Sequence, residues 1–90
     1  MNASVKSIGR MALLQQAADR NGWDIVNIEA NQDEAVVMFD RCHSPKGEAR
    51  RYGTAAYFWA SQGFCWGHYD YTYDQAVADY RERCNRHFPV

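Results

Sequence analysis

The hydrophobic period of the chain changes twice, and this pattern limits the possible folds more than any other feature. Residues 5–20 carry apolar side chains at helical spacing, and Asn21-Gly22 follows as a glycine-terminated helix end. Near the other terminus, Thr72 and Gln75 have the spacing of a capping box. The apolar positions are Ile8, Met11, Leu14 and Ala18 in the first helix, and Ala76, Val77, Tyr80, Cys84 and Phe88 in the second. The sequence therefore predicts a helix at each end, the first capped by Ser4 or Asn2.

Four runs of β type lie between these helices. They cover residues 23–30, 35–41, 52–60 and 64–71, and turn-forming segments at 31–34, 42–50 and 61–63 separate them. Short loops between consecutive strands favour antiparallel hairpins. The expected fold is therefore α+β with the order α-β-β-β-β-α, a single compact domain over residues 1–90. Its four-stranded antiparallel sheet is expected to have two helices packed on one face.

Each hairpin has one register that brings its apolar residues together. With a four-residue loop, the first hairpin pairs Ala30 with Ala35, Ile28 with Val37, Val26 with Phe39 and Asp24 with Arg41. With a three-residue loop and a left-handed Gly63, the second pairs Ala60 with Phe64, Phe58 with Trp66 and Ala56 with His68. Tyr57, Trp59, Tyr69 and Tyr71 then share the opposite face of the second hairpin.

Composition narrows the functional classes. The 90 residues form one small domain, and a formal charge of −1 argues against binding nucleic acid by bulk charge. No apolar run approaches the ~20 residues of a membrane span, and the first ten residues lack the apolar core of a signal peptide. Three cysteines are an odd number without close pairs, so we expect free thiols. These features favour a cytoplasmic protein without membrane contact.

Each cysteine is accompanied by a histidine, which raises the question of a zinc site. The pairs are Cys42-His43, Cys65-x-x-His68 and Cys84-x-x-His87. Thiolate and imidazole are the usual zinc ligands. The alternation of a strand would send Cys65 and His68 to opposite faces, and the helical pair supplies only two ligands. We therefore expect neither a metal nor another cofactor.

The sequence carries no recognisable catalytic signature. It has no nucleophile elbow, HExxH pair, Walker loop or GxGxxG segment. Apolar surroundings are expected to raise the thiol pKa of Cys65 and make it a poor nucleophile. Asp70 and Asp74 flank the start of the second helix, where negative charge offsets free amide groups without any catalytic role. We therefore expect a protein that is not an enzyme.

Aromatic residues are concentrated in one segment. Nine of the thirteen lie between positions 52 and 73, more than one side of a sheet can bury. If the helices cover the face of Phe58, the opposite face presents a platform of Tyr57, Trp59, Tyr69 and Tyr71. Such rings serve as anchors in protein interfaces and as stacking surfaces for bases. The alternative is a core on both sides of the sheet, or simple cross-strand packing.

Charge is also segregated along the chain. All charged residues from 24 to 40 are acidic, and this acidic hairpin contains Asp24, Glu29, Asp33, Glu34 and Asp40. The loop that follows is basic, with Arg41, Lys46, Arg50 and Arg51 around a single Glu48. Because arginine makes bidentate contacts with carboxylate and phosphate, this basic loop is a candidate partner-binding segment. The alternative is a solvated surface of mixed charge.

The element order is similar to that of the double-stranded RNA-binding domain, α-β-β-β-α, but the similarity is one of layout. The second helix begins with the acidic Tyr73-Asp74-Gln75-Ala76, where that family presents lysines to the phosphates. In size, charge and lack of motifs the chain is similar in kind to small phage and mobile-element proteins that inhibit host defence complexes, including anti-CRISPR inhibitors.

We therefore expect a non-enzymatic binding module. Its partner would be a protein or a nucleoprotein complex of host defence, which it would inhibit by occupying a binding surface. The predicted contacts are the aromatic platform and the basic loop, with the acidic hairpin as an alternative interface. The second hypothesis is a domain that binds RNA or DNA directly through the basic loop 41–51 and the sheet aromatics.

Overall fold

The computed structural model describes residues 3–88, with side chains described from position 9 onward. The two helices and four strands appear in the expected order, with a 3-10 turn between the second and third strands. The elements are α1 Ala3–Arg20, β1 Asp24–Ala30, β2 Glu34–Asp40, the 3-10 turn Glu48–Arg50, β3 Tyr52–Phe58, β4 Gly63–Tyr71 and α2 Tyr73–His87. Consecutive strands pair antiparallel in one sheet of order β1-β2-β3-β4. The α+β class and the predicted order are confirmed.

The two helices lie on opposite faces of the sheet, so their predicted placement on one face is wrong. The five inner residues of β2, and likewise of β3, are all buried. Because consecutive strand residues point to opposite sides, such strands need cover on both faces. The run Ala35-Val36-Val37-Met38-Phe39 is apolar at every position. It is therefore typical of a strand between two layers.

The main apolar core lies between α1 and the sheet. Leu14, Ala17 and Ala18 of α1 are buried against alternate residues of β2 and β3. Trp23, just after α1, stacks on Phe39 with ring centroids 3.8 Å apart and planes 3° from parallel. Of the predicted apolar face of α1, Leu14 and Ala18 are buried and Met11 is largely exposed, while the Ile8 side chain lies outside the described residues. Ser4 lies within the helix, and Asn2 is also outside the described residues.

The second layer lies between α2 and the other face of the sheet. Ala76 and Cys84 of α2 are buried, and so are Val36 and Met38 of β2. Thr72 caps the helix through the predicted capping box with Gln75. Along the helix, Asp79 and Arg83 make hydrogen bonds to sheet residues. The α2 layer is therefore partly apolar and partly polar.

The first hairpin has the predicted register near its turn and a different one at its open end. Ala30 pairs with Ala35 and Ile28 with Val37, as expected. An irregularity at Val26 then shifts the pairing, so that Phe39 faces Ile25 and Asp24 faces Asp40. The predicted pairs of Val26 with Phe39 and Asp24 with Arg41 are wrong, because a β-bulge adds one residue to β1.

The second hairpin differs more from its predicted register. β3 ends at Phe58, which pairs with Gly63, so the turn is longer than the three residues expected. Gln62, with φ 56°, takes the left-handed conformation predicted for Gly63. Two irregularities in β4 then bring His68 opposite Thr54 and Tyr71 opposite Tyr52. The predicted pairs of Ala60 with Phe64, Phe58 with Trp66 and Ala56 with His68 are therefore wrong.

Two residues of β4 have the backbone conformation of bulges. Trp66 has φ 54° and Asp70 has φ 61°, backbone angles that residues other than glycine rarely adopt in a strand. Each bulge reverses the face to which the following residues point.

None of the helices in residues 3–88 combines the length and apolar composition needed to cross a membrane.

Candidate functional site

A cleft runs along α1, between this helix and the turns of the two hairpins. It consists of three hollows of about 150, 370 and 330 Å³. Arg10 and Trp59 line both the first and the second hollow, and Gln62 lines both the second and the third. Neighbouring hollows share lining residues and so adjoin one another along α1, and we call the three together the α1 cleft. Its further lining residues include Met11, Leu13, Arg20, Asn21, Trp23, Asn31, Gln32, Asp33, Phe64 and Tyr69.

Trp59 forms the centre of this cleft and is held by both neighbouring elements. It follows the last residue of β3, and its indole Nε1 donates a hydrogen bond to the Asn31 carbonyl at 2.9 Å. The Arg10 guanidinium lies 5.8 Å from the Trp59 ring centroid and also donates to the Gln32 carbonyl at 3.3 Å. The hydrogen bond satisfies the polar group of this partly buried indole and favours one orientation of the ring. Arg10 thus links α1 to the first hairpin turn.

The first hairpin turn is itself preorganised. The side-chain oxygen of Asn31 accepts hydrogen bonds from the backbone amides of Asp33 and Glu34, both at 2.9 Å. This Asx-type turn fixes the Asn31 carbonyl, which accepts the hydrogen bond from the Trp59 indole. The position of Trp59 is therefore set by the turn sequence as much as by β3.

Tyr69 stands at the other end of the cleft. Its ring lies against Trp23 and Phe39, with centroid separations of 6.0 and 5.7 Å, and the Arg41 guanidinium is 5.4 Å from its centroid. The ring folds back over Gly67, where an added Cβ would collide with it. A glycine is thus required at this position for Tyr69 to lie flat along the strand.

The predicted aromatic platform does not exist as one exposed surface. Tyr57 is 1% exposed and belongs to the α1-side core. Trp59 and Tyr69 lie on this same side, partly and largely exposed respectively. Tyr71 pairs with Tyr52 and lies on the α2 side, because the bulge at Asp70 reverses its direction. The structure thus keeps two of the four predicted rings together in the α1 cleft.

The basic loop is divided between paired and free cations. Arg41 forms an ion pair with Asp70 at 3.2 Å, and Arg51 forms one with Asp40 at 3.0 Å. Ser44 also donates to Asp70 at 2.8 Å, which ties the loop to β4. Within the described part of the chain, Lys46 and Arg50 are exposed and form no ion pair. Of the four basic residues predicted to contact a partner, two are thus engaged in ion pairs within the protein. The other two, Lys46 and Arg50, keep charges that a partner could contact.

A polar cluster fastens α2 to the sheet. The carboxylate of Asp79 accepts hydrogen bonds from Thr54, from His68 Nδ1 at 2.9 Å and from Arg83 Nε at 3.2 Å. Burial by itself raises the pKa of Asp79, but these three hydrogen bonds outweigh it and hold the pKa below its ordinary value. Arg83, which is 2% exposed, also donates to the Trp66 carbonyl. Every member is satisfied, so the cluster is a structural connection.

Trp66 is a surface residue that the sequence did not reveal. It is 64% exposed and packs edge-on against Phe58, with centroids 5.4 Å apart. The hydrophobic pattern placed it under a helix, whereas the bulge turns it outward. No feature of the sequence indicates that a tryptophan adopts a positive φ. Arg10 and Arg20 are also missing from the predicted site, although their location on a terminal amphipathic helix was evident.

The pKa values of all three thiols are raised. Burial raises the pKa of Cys84 to about 11 and also raises that of Cys65, as expected for the latter. Cys42 is exposed, and its hydrogen bond to Asp24 raises its pKa. The bulge at Trp66 places Cys65 and His68 on the same face, so the argument that separated them is wrong. Within residues 9–88, no group of three or more histidine, cysteine, aspartate or glutamate side chains lies close enough together to hold a metal ion.

Comparisons with protein families, curated proteins and solved structures give no match.

Proposed function

We propose that this protein is a non-enzymatic binding module and that the α1 cleft is its binding surface. The observation that supports this proposal is the row of three adjoining hollows along α1, with Arg10, Met11 and Trp59 in the first and Tyr69 in the third. Tryptophan, tyrosine, arginine and methionine are the residues enriched at interfaces, and the first three dominate binding energy. Their arrangement in one groove supports a macromolecular partner, either a protein or a nucleoprotein complex.

The chemistry of the remaining polar groups supports binding over catalysis. The pKa values of the thiols are raised, which leaves little thiolate at neutral pH. The Asp79 carboxylate is engaged by three donors, one of them the buried Arg83. A module of this size can act by covering a surface that another molecule needs. The specific function proposed from the sequence is inhibition of a host defence nucleoprotein complex.

Two tryptophans on opposite sides of the sheet provide a matched test. The measurement is quantitative capture of partners from a lysate by immobilised protein, with Trp59→Ala and Trp66→Ala compared with wild type. If Trp59 is a hot spot, its truncation costs about 2 kcal/mol or more, roughly a 30-fold loss of affinity. Trp66→Ala should retain the same partner.

A fold control completes this experiment. Thermal melts report whether each variant remains folded, and Leu13→Glu, an exposed change on the cleft wall, serves if Trp59→Ala unfolds. Loss of the captured species with Trp66→Ala but not with the cleft variants contradicts the proposal. So does undiminished capture by Trp59→Ala and Leu13→Glu together.

A further inference from the structure

The charged and polar lining of the α1 cleft differs from the rest of the molecule. Its charged residues, within the described part of the chain, are Arg10, Arg20 and the single acid Asp33. The whole chain has a net charge of −1, so the cleft is locally cationic on a slightly anionic protein. Most other polar lining residues are neutral amides, which both donate and accept hydrogen bonds: Asn21, Asn31, Gln32 and Gln62.

Two aromatic rings line the cleft between its two arginines. Arg10 and Arg20 are ten residues apart on α1, which corresponds to about 15 Å along the helix. At ~3.4 Å for each stacked nucleotide, this distance spans about four nucleotides of one strand. Trp59 and Phe64 line the intervening stretch. Arginines that bind phosphate and rings that stack on bases are the two components of single-strand recognition.

We propose that the α1 cleft binds a single strand of nucleic acid, an inference that rests on its role as the binding surface. Arg10 and Arg20 contact phosphates, Trp59 and Phe64 provide stacking surfaces, and the side-chain amides contact base edges. A duplex keeps its bases stacked and cannot offer them to these rings. The basic loop is the alternative site: Arg41 and Arg51 are paired with Asp70 and Asp40, but Lys46 and Arg50 are exposed, so the test includes a variant of these two residues.

The test is fluorescence anisotropy with labelled 12-nucleotide RNA and DNA single strands and with the matching duplex. Binding should be stronger for a single strand than for the duplex. Two phosphate contacts predict a log-log salt slope of about −1.4. The double variant Arg10→Gln with Arg20→Gln should bind at least about tenfold more weakly, with a slope near zero. The RNA and DNA arms decide which sugar the cleft accepts.

Two matched variants remove the same charge elsewhere. Arg81→Gln with Arg86→Gln neutralises two exposed arginines of α2, on the other side of the sheet. Lys46→Gln with Arg50→Gln removes the two exposed charges of the basic loop. Each of these variants should bind within about twofold of wild type. A loss confined to the loop variant overturns the cleft assignment, and an equal loss in all three indicates a net-charge effect and overturns it too.

The remaining outcomes separate this inference from the proposed function. No saturable binding at about 100 μM protein in low salt overturns the inference. Equal displacement by an acidic peptide of the same charge also overturns it, because the cleft then recognises only negative charge. If capture depends on Trp59 while oligonucleotides do not bind, the binding-surface proposal stands and the nucleic-acid inference falls. If capture is also indifferent to the cleft variants, both fall.

Discussion

Replacement of Arg83 by methionine should destabilise the protein more than any exposed arginine substitution. Arg83 is 2% exposed, and its guanidinium donates both to Asp79 and to the carbonyl of Trp66. Methionine keeps much of the length and the apolar contacts of the stem but none of the donors. The Asp79 carboxylate then retains only Thr54 and His68 as partners.

The size of the effect follows from these two lost contacts. Removing one member of a buried ion pair leaves an uncompensated charge and costs about 3–5 kcal/mol. Loss of the hydrogen bond to the Trp66 carbonyl falls within the same range, because the two lost contacts share one side chain. Domains of this size have a total stability of about 5–13 kcal/mol. Arg83→Met should therefore remove a large fraction of the free energy of unfolding.

Urea denaturation followed by circular dichroism measures this change. Arg81→Met, an exposed change on the same helix, is the control and should lie within about 0.5 kcal/mol of wild type. The double variant Asp79→Leu with Arg83→Met should recover part of the loss, because it removes both charges. A cost below about 1 kcal/mol for Arg83→Met would refute the reasoning that this cluster fastens α2 to the sheet.

The same cluster predicts a pH dependence. The folded-state pKa of Asp79 lies below its ordinary value, so its contribution is fully present above the unfolded pKa of about 3.9. That contribution is lost as the pH falls through the folded-state pKa. Unfolding free energy should therefore decrease on acidification below about pH 5, and less steeply in Asp79→Asn. An identical acid slope in both proteins contradicts this assignment.

Two further predictions concern glycine and cysteine positions. Gly53→Ala should cost about 1–3 kcal/mol, because a Cβ there meets the Phe39 ring and the His68 carbonyl. Gly9→Ala has open space in α1 and should stabilise by about 0.5–1 kcal/mol; equal urea midpoints for the two variants would contradict the packing described. Iodoacetamide at pH 7.5 should leave Cys84 unmodified in the folded protein, since burial raises its pKa to about 11. Rapid native labelling of Cys84, read by peptide mass spectrometry, would contradict its burial.

The helices and hairpins were predictable because each depends on local signals. The capping box at Thr72 and Gln75, and the glycine end after α1, are short motifs with a physical mechanism. The sequence also indicated that both faces of the sheet are covered. β2 is apolar at consecutive positions, and such a strand is buried on both faces. The prediction treated the sheet as one-sided and so put both helices on one face.

The register of the second hairpin could not be predicted from local patterns. Trp66 and Asp70 adopt positive φ, which their side chains do not favour. The bulge at Trp66 is held by Arg83, seventeen positions away, so its cause is tertiary. The bulge at Asp70 moved Tyr71 to the other face and Tyr57 is buried in the α1-side core, so Trp59 and Tyr69 are the members of the predicted platform that remain in the α1 cleft. Arg10 and Arg20 were missed because they line a cleft only when the turns of the hairpins pack beside α1, which is a tertiary arrangement.

The most direct test of the binding surface uses the three tryptophan indoles as separate reporters in a ¹H–¹⁵N NMR titration. Trp23 is buried, Trp59 lies in the α1 cleft and Trp66 lies on the other side of the sheet. Phenylalanine substitutions assign the three Nε1–H signals. On addition of the partner recovered by capture, the Trp59 signal should shift or broaden while that of Trp66 stays unchanged, because binding disturbs the hydrogen bond from Trp59 to Asn31. A shift of the Trp66 signal with an unmoved Trp59 signal would contradict the account.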